Sequence, residues 1–102
     1  MSKRKENWNF QKNEQLFDAI LVLRTRAECA KFFRDLCTIE EITDMADRWQ
    51  MVKMLLQGKS YREIAQKLKV SSTTVARVAS WYDAGKGGYK LVAKRLKLDK
   101  YD

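Results

Sequence analysis

Hydroxyls and cations are the side chains with chemistry to offer in this 102-residue sequence. Ser71, Ser72, Thr73 and Thr74 form an unbroken row, with Ala76 and Arg77 close behind. Read as the start of a helix, the row surrounds free backbone N–H groups with small side chains. Such a surface can approach a phosphate closely, and threonine hydroxyls and methyls can reach base edges. The alternative is a polar helix start that simply faces water. Lys59, Arg62, Lys67 and Lys69 flank the row and suit phosphate contacts, although each could equally serve solubility. Arg77 could reach phosphate or base, or pair with an acidic residue.

Other chemistries lack their residues. There is no histidine, and the carboxylates of Glu40, Glu41, Asp44 and Asp47 read as an outward acidic face and not as paired catalytic acids. Neither an enzyme nor a bound cofactor is expected. Cys29 and Cys37 are two thiols among apolar neighbours, a poor ligand set for zinc, and they are expected as buried free thiols in a reducing compartment. The glycines at 85, 87 and 88 follow no strand and lack a GKS/T pattern, so that segment reads as a turn and not as a phosphate-binding loop.

The hydroxyl row needs elements to hold it. No proline and only four glycines interrupt the chain, which points to an all-α fold. A first helix is expected from about Asn13, as N-cap, to Leu23. Thr25-x-x-Glu28, Thr38-x-x-Glu41 and Ser60-x-x-Glu63 have the form of capping boxes and open three further helices. The second helix turns Cys29, Phe32, Phe33 and Leu36 inward. The third carries Ile42, Met45, Ala46, Trp49, Val52 and Leu56 at helical spacing and stops at Gly58. From Tyr61 onward, Ile64, Ala65, Leu68, Val70, Val75 and Val78 sit where two short crossing helices would bury them. This is a helix-turn-helix at about 60–81, turning at Lys69-Val70-Ser71. Glycine often occupies the place of Lys69, because the backbone there tends to become left-handed. A last helix is expected over Tyr89–Leu98, with Leu91, Val92 and Leu96 free to dock on a second subunit.

Charge divides the chain. Residues 1–47 sum to −1 and residues 48–102 to +9, giving the total of +8. A near-neutral first half and a basic second half suit dimerisation and polyanion binding respectively. Residues 1–12 read as an arm, in which Lys3, Arg4 and Lys5 are solvated and Trp8 and Phe10 pack onto something. Residues 13–98 form the helical domain and 99–102 a tail. No run is apolar enough for a membrane span or signal peptide, so a cytoplasmic protein is expected.

The stretch LFDAILVLRTRAECAKFFRDLCTIEEITDMADRWQMVKMLLQGKSYREIAQKLKVSSTTVARV, with the later GGYKL, resembles the Trp repressor superfamily, and within it the YerC/YecD-type branch. The resemblance spans about residues 14–96. It implies an intertwined, all-helical homodimer that presents one helix-turn-helix per subunit to successive major grooves of double-stranded DNA. Ser72, Thr73, Thr74 and Ala76 then align with positions at the start of the DNA-reading helix, and Tyr61 and Arg62 with DNA-facing positions before it. Thr38, Arg48 and Arg77 align with co-repressor pocket residues. Val78 stands where that pocket has glycine and Trp81 where it has serine. Both are too large to leave room for a flat indole, so control by tryptophan is not expected. Trp81 is expected to fill the slot itself, and any effector of this candidate pocket is an unknown small molecule. The expected function is sequence-specific regulation of transcription, repression before activation. The competing reading is a protein-interaction module that keeps the helix-turn-helix without reading DNA.

Overall fold

The structure is a computed structural model that describes Trp8 and residues 10–98. Among the described residues the chain is helical: α1 (Gln11–Leu21), α2 (Arg26–Leu36), α3 (Ile39–Leu56), α4 (Tyr61–Leu68), α5 (Ser72–Ala84) and α6 (Gly88–Arg95). Two compact units divide the chain, one ending at Ile39 and the other beginning at Glu40. Lys3, Arg4 and Lys5 of the expected arm, and the expected tail at 99–102, lie outside the described residues.

In the first unit α1 starts earlier than its sequence suggests. Phe10, not Asn13, is the N-cap, and its extended backbone leaves the carbonyl to accept the N–H groups of Asn13 and Glu14 at 2.9 and 3.1 Å. Asn13 lies within the first turn and its side-chain amide donates to the Trp8 carbonyl. The Trp8 ring meets Phe17 edge-on, 6.1 Å between centroids, which holds the incoming chain against the helix. The helix also ends earlier, at Leu21.

Thr25 caps α2 as its sequence predicts, the hydroxyl accepting the Glu28 N–H at 3.1 Å. The return bond differs. Glu28 Oε1 accepts from the N–H of Arg24, one residue before the cap, at 2.8 Å.

Neither α1 nor α2 contains a buried residue. Leu21 and Val22 are 79% and 71% exposed, and the stripe expected inward on α2 is only partly covered. The cysteine expectation is corrected with it. Cys29 is exposed and Cys37 half-buried, both as free thiols, because no described residue closes fully over that face.

The second unit has a core of its own. Met51, Val52, Met54 and Leu56 from α3, Ile64 from α4, Val75 and Val78 from α5, and Ala93 from α6 are buried together. Ala65, Leu68, Val70, Tyr82, Tyr89 and Leu98 pack around them. Met45, expected on the inner face of α3, stays 40% exposed.

Gly58 ends α3 with φ +82°. The N–H of Lys59 reaches the Met54 carbonyl at 3.1 Å and that of Gly58 reaches Leu55 at 3.0 Å, the bond pair of a Schellman turn. α6 occupies Gly88–Arg95, shorter at its C-terminus than expected, and Lys97 with φ +60° turns the chain so that the Leu98 N–H bonds Ala93 at 2.8 Å.

Val75 is fully buried. Val75→Asp would place an unpaired carboxylate among Ile64, Val78 and Met51, at a cost of several kcal/mol. Thermal unfolding should show a large loss of stability. An unchanged melting temperature would place Val75 outside the core.

Candidate nucleic-acid interface

The bihelical unit is built from two capped helices. At the head of α4 the Ser60 hydroxyl accepts the Glu63 N–H at 3.1 Å and Glu63 Oε1 accepts the Ser60 N–H at 3.0 Å. This is the reciprocal box that its sequence predicts. The carboxyl of Glu63 is consequently held below its ordinary pKa. The Ser60 backbone N–H contributes most, followed by the Ser60 side chain, with a smaller contribution from the charge of Lys59.

α4 closes on Lys69, whose backbone is left-handed at φ 58°, ψ 46°. The N–H of Val70 then reaches back to the Ala65 carbonyl at 3.1 Å. Lysine thus occupies the conformation that glycine adopts most cheaply. The tight turn lets Val70 drop half-buried against the core and brings Ser71 to the head of α5. There the Ser71 hydroxyl accepts the Thr74 N–H at 3.0 Å and lies 2.8 Å from the Thr74 hydroxyl.

Burial of Val75, Val78 and Ala79 fixes which way α5 faces. At 3.6 residues per turn, Thr73, Ala76, Arg77 and Ser80 fall within an arc of about 100° on the side away from Val75, and Ser72 stands at the edge of that arc, close to the azimuth of the buried Ala79. Ser72, Thr73, Arg77 and Ser80 are exposed and Ala76 is half-buried.

Thr74 stands apart from its neighbours. It is half-buried, its hydroxyl is engaged by Ser71, and it lines a cleft with Asp44, Asp47, Arg48, Met51 and Val70. The hydroxyl row therefore splits, with Ser72 and Thr73 outward and Thr74 on the seam with α3. The sequence pattern passed over two outward polar residues, Ser80 on α5 and Gln66 on α4. The signal for Ser80 was its spacing of one turn beyond Ala76. Lys59, Tyr61, Arg62, Lys67 and Lys69 are all exposed around the unit.

The residues expected at an effector pocket are only partly brought together. Arg48 and Trp81 line one groove with Trp49, Gly85, Tyr89 and Val92. Val78 is buried in the core and Arg77 is exposed, while Thr38 belongs to the first unit. Trp81, expected to fill the slot, instead stays 45% exposed along this wide apolar groove. Gly85 is needed there, since a Cβ would come within 2.4 Å of the Trp81 carbonyl oxygen. Trp49 and Tyr89 pack at 6.4 Å, joining α3 to α6. Among the described residues no group of three or more His, Cys, Asp or Glu could hold a metal ion, and no helix is long and apolar enough to cross a membrane.

Comparison with known proteins gives one answer. The sequence model of the Trp repressor protein family matches residues 11–97. The chain is 38% identical over 84 residues to the uncharacterized protein YerC of Bacillus subtilis (strain 168), covering 82% of this chain and 81% of YerC. A TrpR-like protein from Eubacterium eligens ATCC 27750 is similar in structure, with a TM-score of 0.84 and 39% identity over 90% of this chain and 95% of that one. A Staphylococcus aureus crystal structure superposes with a TM-score of 0.84 and 38% identity, over 91% of this chain and 93% of that one.

The box at Ser60 and Glu63 makes α4 sensitive to acid. A carboxyl with a pKa lowered by folding adds stability that is fully present above its ordinary value of 4.5. That contribution is lost as pH falls through the depressed folded value. The advantage of the wild type over Glu63→Gln in thermal unfolding should therefore hold constant above the carboxylate range and shrink below it. A difference that persists unchanged into strong acid would contradict the box.

Proposed function

The chain belongs to the Trp repressor protein family, and from that premise we propose that it regulates transcription by sequence-specific binding to double-stranded DNA. The observation that carries this reading is the outward face of α5, where Thr73, Ala76 and Arg77 stand away from a fully buried Val75 and the exposed Ser72 borders them at the helix start. Small side chains at a helix N-terminus admit close approach to a major groove, and Thr73 and Arg77 offer donors to base edges and phosphates. Lys59, Arg62, Lys67 and Lys69 contact phosphates, and Tyr61 faces the same backbone from the start of α4. Thr74 contributes from the edge, through the seam it shares with α3.

The working species is a homodimer. Support comes from the apolar residues left open on helices of both units: Leu21 and Val22 at the end of α1, Leu36 on α2, and Leu91, Val92 and Leu96 around α6. A second copy is the natural cover for so many, since a chain of this size has little core to spare. Two-fold symmetry predicts a palindromic operator with half-sites one helical turn apart. Repression is the favoured sign of that regulation. Tryptophan is not the effector, since the glycine of the co-repressor pocket is replaced by Val78, which the core already absorbs. The protein acts in the cytoplasm.

Selection from a random duplex library by purified protein, without added ligand, tests this directly. Enrichment of a palindrome supports a dimeric, ligand-independent regulator. Enrichment of no sequence by folded protein favours the interaction-module reading or a missing effector.

Lys69 provides a sharper check. Lys69→Gly and Lys97→Gly both relieve a left-handed lysine and should raise stability by up to about 1 kcal/mol each. Only Lys69→Gly should also weaken binding to all duplexes alike and lower the salt-dependence slope by about one unit. Equal slopes for the two variants would remove Lys69 from the phosphate contacts.

A further inference from the structure

We propose that Asp44 and Asp47 act as an electrostatic brake on DNA binding, an inference that rests on the DNA-binding reading above. Asp44 and Asp47 of α3 line a cleft of about 260 Å³ together with Thr74 at the head of α5 and Val70 in the turn. Thr74 and Val70, which line that cleft with them, are direct sequence neighbours of the exposed Thr73 and Ser71, and the screening length at physiological ionic strength is about 8 Å. The pair therefore sits within electrostatic reach of the surface that would meet phosphates, one step from the exposed Ser72 and Thr73.

The charges are not cancelled locally. Asp44 and Arg48 are four residues apart on α3, a spacing at which opposite charges on a helix commonly pair. Among the described residues, however, neither Asp44, Asp47 nor Arg48 takes part in an ion pair. Arg48 also lines the apolar groove beside Trp49 and Trp81, so it borders two clefts. With two carboxylates, one guanidinium and otherwise neutral side chains, the lining keeps a net negative charge. This sits against the head of a helix whose free N–H groups favour anions, in the half of the chain that sums to +9.

The consequence is a counterweight to that positive charge. Non-specific attraction to duplex DNA grows with every cation and is independent of sequence. Two carboxylates behind the reading surface weaken that attraction everywhere, so long residence requires base contacts as well.

The test compares Asp44→Asn and Asp47→Asn with Asp83→Asn in purified full-length protein. Asp83 lies on the same helix as Thr74, nine positions on and about 14 Å along the axis, and its replacement changes the net charge equally. Binding to a selected site and to unrelated duplex is measured across a salt series, with thermal unfolding alongside. Each α3 variant should tighten binding about two- to fivefold at low salt, on both duplexes alike, with the gain fading as salt rises. Asp83→Asn should change affinity far less. Unchanged or weaker binding by both α3 variants at wild-type stability overturns the brake. So does an equal gain from Asp83→Asn, which would reflect overall charge, or a gain confined to one sequence, which would reflect base contact. A wild-type protein that binds no duplex removes the DNA reading itself, which is distinct from wild-type binding that the carboxylates leave untouched.

Discussion

Everything at the candidate interface depends on burying Val75 and Val78 against Ile64, Met51 and Val52. A helix has one azimuthal freedom once its axis is placed. Two valines a turn apart, both essentially without exposure, remove it. The outward arc of Thr73, Ala76, Arg77 and Ser80 then follows from helical geometry, with no further interaction needed to aim it. The caps at Ser60 and Ser71 fix the other degree of freedom, where each helix begins, because a hydroxyl can satisfy an N–H only at the first turn. Packing and capping together hold the small outward side chains on a rigid element and not on a loop.

Much of this was legible in the amino-acid order, for reasons that can be stated residue by residue. Capping boxes and a left-handed helix end are local: Ser60 and Glu63, or Gly58 and Lys59, need only their immediate neighbours, and the structure keeps them. The left-handed Lys69 follows in the same way from the length of the turn. What sequence could not supply was the competition between partners. Asn13 has the chemistry of a cap, yet the packing of Trp8 on Phe17 moves the helix start upstream and leaves Asn13 a different acceptor. Thr74 looks equivalent to Thr73 in sequence, but it lies at the edge of the buried arc, and only the position of α3 reveals that it lines a cleft. Cys29 belongs to a stripe with helical spacing, and spacing shows which residues share a face without showing what covers it.

That last distinction separates the two units. The second has a core of its own drawn from four helices, with Leu91, Val92 and Leu96 left open around α6. In the first, helices of sound local design carry apolar faces that no described residue buries fully. α2 is capped by Thr25 and the exposed apolar residues keep helical spacing, so the open surface is not a failure of patterning. It marks a chain whose secondary structure is specified within one copy and whose burial is not, the physical basis for reading the homodimer as the working species.

The same core bears on control by small molecules. A ligand shifts a conformational equilibrium only by the difference in its affinity for the two states. To order a DNA-binding head, it must supply contacts that the unliganded head lacks. A glycine at position 78 would leave such a gap beside α5. Val78 fills it with two methyl groups that are buried without any ligand, and Ile64 and Val75 pack against the same core. A flat aromatic ring would have to displace this side chain from a close-packed site, an overpacking cost of about 1–3 kcal/mol, before it gained anything. On the proposed tryptophan-independent reading, the valine does in the free protein what a co-repressor would otherwise do on binding. Trp81, half-exposed along the neighbouring groove, is better placed to meet a second copy than to hold a ligand in a closed slot.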